Sequence, residues 1–333
     1  MDLGGFTATI VMLIVIALVF DFMNGFHDAA NSIATVVSTG VLKPYQAVIW
    51  AAFFNFIAIL LFELKVAATV GKGIVDPDIV DNHVIFGALI GAISWNVITW
   101  YYGLPSSSSH ALIGGMIGAT VAKAGTAPLL APGIIKTSSF IVVAPVLGML
   151  LSGSIIVALS WILRRRTQRQ TDRWFRRLQY VSSALYSIGH GSNDAQKTMG
   201  IIWLLLISAN LTTRDHLPNW VVIACYVTIA IGTLFGGWRI VKTMGQRITK
   251  LRPIGGFAAE SGGAISLFLA TSFGIPVSTT HTITGSIIGV GSAQRARAVR
   301  WGVAGNIIAA WIVTIPASAL IAAAAWWIGW RLF

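Results

Sequence analysis

Apolar residues gather into ten runs along the chain, at about 6–34, 45–64, 84–102, 104–123, 139–163, 180–208, 219–238, 254–273, 275–292 and 299–330. Most approach the roughly 20 apolar residues that carry an α-helix across a bilayer. The pattern predicts an all-α, polytopic membrane protein. The run from Phe6 to Phe20 has no basic residue before it and continues into a polar helix, so it reads as a membrane helix and not as a cleavable signal.

The runs repeat. GFHDAAN from Gly25 to Asn31 matches GSNDAQK from Gly191 to Lys197 at an offset of 166, and GLPSSSSH from Gly103 to His110 matches GIPVSTTH from Gly274 to His281 at an offset of 171. Two motifs in the same order at nearly one offset mark a duplicated unit. The first repeat is predicted over 1–163, a basic linker over 164–178 and the second repeat over 179–333, with five apolar elements per repeat. The third and fourth elements of each repeat are expected to form a helical hairpin.

Composition fits this reading. Hydrophobic residues make up 56% and charged residues 10%, against about 25% charged in an ordinary globular domain, and the mean hydropathy is +0.78. A soluble enzyme, a disordered chain and a coiled coil are excluded. The net charge of +12 would suggest nucleic acid in a soluble protein, but with the N-terminus outside, 16 of the 23 Lys and Arg fall in inside loops and six outside. That bias fixes the orientation of a multi-pass membrane protein. An odd number of crossings per repeat then turns the second copy upside down, the inverted-repeat bundle of secondary transporters. The seven arginines from Arg164 to Arg177 read as a cytoplasmic linker with attraction for anionic membrane lipid, and no nucleic-acid partner is expected. The single cysteine, Cys225, permits no intrachain disulfide.

Several polar residues do not belong in lipid. Asp21, Asn24, Asp28 and Asn31 step by three, four and three, so they share one helical face, and Ser187, His190, Asp194 and Lys197 repeat the spacing. Each intramembrane charge costs at least about 2.5–3.5 kcal/mol. A structural Asp–Lys pair accounts for one couple but not for the same stripe in both repeats, which points to an ion and substrate site. In the second motif, Gly-x-Pro interrupts the apolar run and leaves backbone amides free. The hydroxyl clusters that follow, Ser106, Ser107, Ser108 and Ser109, then Ser278, Thr279 and Thr280, lead into a new helix whose first turn suits the proline. Helix N-termini offer oriented N–H donors to an oxyanion, so two tips meeting at the midplane would cradle a tetrahedral anion. His27, His110, His190 and His281 lie beside these motifs as candidate proton carriers, and Glu260 is open to either a proton-relay or a capping role.

These residues resemble the inorganic phosphate transporter (Pit) family. The resemblance rests on NGFHDAANSIAT (Asn24 to Thr35), HGSNDAQK (His190 to Lys197), GLPSSSSH and GIPVSTTH, and spans both repeats. It implies an inverted-repeat bundle with two helical hairpins, and phosphate held between the hairpin tips and Asp-bearing broken helices, with coupling ions beside it. Asp28, Asn31, Asn193, Asp194 and Gln196 join the serines and threonines as implied substrate ligands. Asp21, Asn24, His27, Asp28, His190, Asp194, Lys197 and Glu260 form the implied ion- or proton-coupling set. Sodium-coupled relatives carry Asn-Asp-x-x-Asn in both copies, whereas here the first copy reads His27-Asp28-Ala-Ala-Asn31 and the second ends in Lys197, whose ammonium can fill the space of a sodium ion. The sequence therefore looks like the bacterial low-affinity, proton-coupled branch, which carries phosphate with, or as, a neutral divalent metal complex; that resemblance implies the cell inner (plasma) membrane. The chain is short for that branch, which implies missing accessory segments.

The expected function is secondary active import of phosphate by proton symport, with no cofactor, no resident metal and no enzymatic activity. Sodium coupling and sulfate transport stay open as alternatives, as does a homodimer. A serine hydrolase is disfavoured, because the adjacency of Ser109 and His110 is no nucleophile–base geometry and the second copy substitutes Thr280. A channel is the remaining option.

Overall fold

The computed structural model describes residues 7–61 and 63–332; Phe6, where the first predicted run begins, lies outside them. Among the described residues there are twelve α-helices: α1 (Ala8–Ser38), α2 (Pro44–Ile57), α3 (Lys65–Lys72), α4 (Asn82–Tyr102), α5 (Ser108–Ala124), α6 (Ala131–Ile162), α7 (Gln168–Ser208), α8 (Asn219–Phe235), α9 (Trp238–Lys242), α10 (Pro253–Ser272), α11 (Thr279–Gln294) and α12 (Trp301–Leu332). Among the described residues the only extended pairing is one isolated bridge, Val75 with Leu129. Five helices (α1, α4, α6, α10, α12) are each long and apolar enough to cross a membrane, and up to seven spans result if the bent pairs α2–α3 and α8–α9 each count as one. Burial of backbone polar groups inside helices is what lipid demands.

The predicted elements appear with two informative shifts. Residues 168–178 of the basic stretch are the opening turns of α7, because Thr167 and Gln170 form a capping box there. The Asp-bearing helices are not broken: α1 runs unbroken through Asp28, and α7 through Asp194. Neither contains an internal proline, and Asp or Asn side chains at three- and four-residue spacing leave the backbone ladder intact. The interruptions fall elsewhere, at the hairpin tips and at Gly236–Gly237, where α8 and α9 meet at 61°.

α4 and α5 form hairpin 1, α10 and α11 hairpin 2. Gly103 (φ +66°) and Gly274 (φ +64°) end the first arms in the left-handed region that glycine tolerates. The bonds Leu104 N to Thr99 O (2.9 Å) and Ile275 N to Ala270 O (2.9 Å) close the same C-terminal motif in both. Pro105 and Pro276 lie in the extended links that follow, not in the first turns of α5 and α11, whose N-caps are Ser107 and Ser278. The base of hairpin 1 is clamped: the Lys123 ammonium donates to Asp81 Oδ2 (2.7 Å) and to Ile79 O (2.6 Å). Burial pushes the Asp81 carboxyl up, but the Lys123 bond and the Val84 amide outweigh it and hold the group below the usual carboxylate value.

The N- and C-terminal halves of the chain interlock. α6 of the first half packs on α10 and α11 of the second, while α12 of the second half packs on α4 and α5 of the first. Small residues allow the close approach. A methyl at Gly114 or Gly118 on α5 would overlap α12 at Ile315, Ser318 and Ala319, and one at Gly285 or Gly289 on α11 would overlap α6 at Pro145 and Met149. Gly114/Gly118 and Gly285/Gly289 are GxxxG pairs, the spacing that lets membrane helices touch. Gly25 on α1 meets Ile229 of α8, and its repeat partner Gly191 on α7 meets Asn55 of α2.

These contacts make a prediction. Gly285→Ala forces α11 away from the Pro145 carbonyl and should destabilise the protein by about 1–3 kcal/mol, as overpacking does. A lowered melting temperature in detergent, with Gly302→Ala unchanged because nothing lies within 4 Å of its added methyl, checks this.

Candidate functional site

The tips of the two hairpins touch. Each begins its second arm with the same cap: Ser107 Oγ accepts from His110 N and Ser278 Oγ from His281 N, both at 3.2 Å. The rings of His110 and His281 then meet edge-on with centroids 4.8 Å apart, and His281 stacks on Trp311 at 3.8 Å. Trp311 Nε1 donates to Pro105 O (3.1 Å), so α12 holds the tip of hairpin 1. Ser109 Oγ donates to Val277 O (3.3 Å), tip to tip. The first turns of α5 and α11 thus point their positive ends into one buried region.

Into that region α1 and α7 bring their polar faces. Lys197 is 1% exposed. Its ammonium donates to Asp194 Oδ1 (2.5 Å), to Val277 O (2.8 Å) and to Ser109 Oγ, which uses all three of its protons. Asp194 Oδ2 accepts from Thr279 Oγ1 (3.2 Å) and lies 3.3 Å from His190 Nε2. Across from it, Asp28 Oδ1 meets His27 Nδ1 (2.8 Å) and Thr280 Oγ1 (3.3 Å). Asn31 Nδ2 bridges Thr279 Oγ1 (3.1 Å) and Thr280 Oγ1 (3.0 Å). Asp28, His190 and Asp194 each offer a ligand atom within 4.8 Å of the others, close enough to share one cation. The chain therefore assembles two carboxylates, one ammonium, several hydroxyls and two helix N-termini in one buried cluster. Such a set can bind a small oxyanion together with a cation or proton.

Second contacts brace this centre. His27 Nε2 meets Thr99 Oγ1 (3.0 Å), and Ser106 Oγ donates to the same Thr99 (2.9 Å). His190 Nδ1 meets Asn55 Oδ1 (3.1 Å). Tyr186 OH donates to Thr279 O (2.9 Å). Thr99, Asn55 and Tyr186 carry no signal in the motifs; their only mark is being polar within apolar helices. Ser108 Oγ and Asn31 Oδ1 are buried with no hydrogen-bond partner among the described residues.

Other predicted residues stand apart. Asn193 pins the tip of hairpin 2, donating to Thr271 Oγ1 (3.1 Å) and Ile275 O (3.0 Å) and accepting from Val277 N (3.1 Å). Gln196 turns away from the centre and caps α3, accepting from Val66 N (3.0 Å) and Ala67 N (3.2 Å) and donating to Glu63 O (3.1 Å). Asp21 is bonded by Thr198 Oγ1 (2.7 Å), two helical turns from Asp28, about 10 Å along α1. Asn24, between them, is buried with neither amide atom bonded among the described residues. Glu260 sits near the base of hairpin 2, accepting from Thr35 (2.6 Å), Gln179 (2.9 Å) and Ser182 (2.5 Å).

Comparisons with known proteins bear on this arrangement. Residues 24–322 match the PHO4 phosphate transporter family. A protein of Rhizobium meliloti described as a "probable low-affinity inorganic phosphate transporter" is 61% identical over 315 residues, 94% of each chain. A protein of Bacillus subtilis with the same description is 46% identical over 96% of each chain. One of Mycobacterium tuberculosis is 43% identical over 94% of this chain and 76% of its own. Among solved structures, a sodium-dependent phosphate transporter shares the fold with a TM-score of 0.89 at 24% identity, covering 98% of this chain and 100% of that one. The chain belongs to the phosphate transporter family: it is a multi-pass membrane transporter of phosphate and not an enzyme.

Proposed function

We propose that the chain imports inorganic phosphate by proton symport across a bacterial inner membrane, with its two repeats, 1–163 and 179–333, enclosing the substrate between them. The observation that carries this reading is the ammonium of Lys197, seated between Asp194 and both hairpin tips. A fixed cation there takes the place a transported sodium ion would need.

Charge counting supports coupling. Asp28, Asp194 and Lys197 sum to one negative charge in a site excluded from water, and a phosphate dianion cannot join them uncompensated. Protons on Asp28 or Asp194, relayed through His27 or His190, remove the repulsion. Ser109, Thr279, Thr280, Asn31 and the first turns of α5 and α11 supply the neutral donors; Ser106, Ser107, Ser108 and Ser278 shape the tips around them. Asp21 with Asn24 on one side and Glu260 on the other extend the polar path along α1 and α10. A protonated phosphate also donates to a carboxylate, which sulfate at neutral pH does not, so the buried aspartates favour phosphate over sulfate.

A second reading adds a divalent cation to the cargo, favoured by the cluster of Asp28, His190 and Asp194. These residues would hold the metal while the hairpin tips hold its phosphate.

In proteoliposomes, radiolabelled phosphate uptake should follow an imposed pH gradient and ignore a sodium gradient. Lys197→Asn recreates Asn-Asp-x-x-Asn and should make uptake sodium-dependent. Wild-type uptake that requires sodium would reject proton coupling. Ser109→Ala removes a substrate donor and also the acceptor of one Lys197 proton, a bond to a charged group worth roughly 1.5–3 kcal/mol, so its KM should rise about 10- to 150-fold with transport still measurable. Chelating external divalent cations should lower uptake several-fold under the second reading and leave it unchanged under the first.

A further inference from the structure

On the side that the basic loops assign to the cytoplasm, the ends of four helices enclose a basic cleft that the transport site does not use. It lies where α6 ends, α7 and α10 begin and α11 ends, and holds about 320 Å³. Arg164 and Arg166 line it from the turn after α6, and Arg252, the N-cap residue of α10, lines it from the other side. Gln168 and Thr171 add polar groups from the start of α7. Asp172 is the acidic group at its edge, bonded by Arg252 Nη2 (2.9 Å). One carboxylate leaves Arg252 most of its five donors, and leaves the cleft with a surplus of positive charge.

The cleft does not stop at the arginines. Beside it runs a groove of about 340 Å³ between α6 and α11, lined by Val157, Trp161 and Ala293, and Ile156, Ser160 and Gln294 line both spaces. Trp161 and Ile162, 68% and 74% exposed, face outward beside it. The Arg164 guanidinium stacks over Trp161 (4.6 Å) and that of Arg166 over Trp174 (5.6 Å). Tryptophan at this level marks the membrane–water boundary. A charged cleft at the boundary thus continues into an apolar groove inside the bilayer.

We propose that this composite cavity binds an anionic glycerophospholipid, its phosphate between Arg164, Arg166 and Arg252 and one acyl chain along the α6–α11 groove. Basic pockets between helices on the cytoplasmic side recognise lipid phosphate. A free phosphate ion shares the headgroup chemistry but has no use for the groove, and that continuity decides between the two sources. The lipid would bridge α6 of the first repeat to α7, α10 and α11 of the second. It would therefore steady the helix that covers hairpin 2, whose tip lies in the transport site.

Native mass spectrometry and melting of the purified full chain test this with phosphatidylglycerol and phosphatidylcholine of equal chain length. The wild type should retain phosphatidylglycerol preferentially and melt higher with it. Arg→Gln changes at 164, 166 and 252 should each weaken retention about fivefold, the effect of roughly 1 kcal/mol per basic residue. Arg295→Gln with Arg297→Gln should leave it intact, and Ala293→Trp, which fills the groove, should weaken it. Inorganic phosphate without lipid should raise the melting temperature of the wild type and of the triple Arg→Gln variant equally, because that effect arises at the transport site. Lack of preference for phosphatidylglycerol, its survival in the triple variant, or its survival in Ala293→Trp overturns the proposal. Loss of the phosphate effect in the triple variant also overturns it, by assigning the cleft to the free ion.

Discussion

A lysine ammonium sealed among helices is tolerable only if every proton on it finds an acceptor, and Lys197 meets that condition with one carboxylate, one hydroxyl and one backbone carbonyl. The three acceptors belong to three different elements: α7 itself, hairpin 1 and hairpin 2. Satisfying one charge therefore fixes where both tips sit relative to α7. Removing Asp194 would leave the ammonium uncompensated, a loss of about 3–5 kcal/mol for a broken buried pair. The surrounding hydroxyls of Thr279 and Thr280 and the amide of Asn31 then extend the same network to Asp28 on α1.

The reciprocal packing of α6 and α12 supplies the second constraint. Besides the packing of α10 on α7, each hairpin is covered by the last helix of the opposite half of the chain. The glycines at 114, 118, 285 and 289 make this contact too close for any side chain. A displacement of one hairpin must be shared with a helix of the other repeat, and the tips, joined through Ser109 and Val277, report on both.

Much of this was legible in the chain because lipid narrows the choices. Apolar runs of span length give helices, and a Gly-x-Pro followed by hydroxyls gives a hairpin tip. Polar residues spaced three and four apart give the face that lines the centre, and Asp28, Asn31, His190, Asp194 and Lys197 indeed converge. Asn193 and Gln196 sit one position away from that stripe, about 100° around the helix. They point at neighbouring elements, which the spacing alone separates from the stripe. The unbroken course of α1 and α7 was hidden, since motif resemblance implies a break that no proline or glycine in these helices imposes. The interlocking of the repeats was also hidden, because periodicity assigns a helix a face but not a partner. Its traces are the GxxxG spacings in α4 (Gly87/Gly91), α5 and α11. Thr99, Asn55 and Tyr186 entered only through three-dimensional proximity.

The two hairpins differ in how their outer ends are moored. Hairpin 1 is closed upon itself at its base, where Lys123 at the end of α5 grips Asp81 and Ile79 at the start of α4. Hairpin 2 has its first arm tied instead to α7, through Arg252 with Asp172 and through Glu260 with Gln179 and Ser182. A torque on α7 is therefore transmitted to one hairpin through a stiff lever and reaches the other mainly through its tip. Two hairpins of nearly matching form are thus held with unequal stiffness.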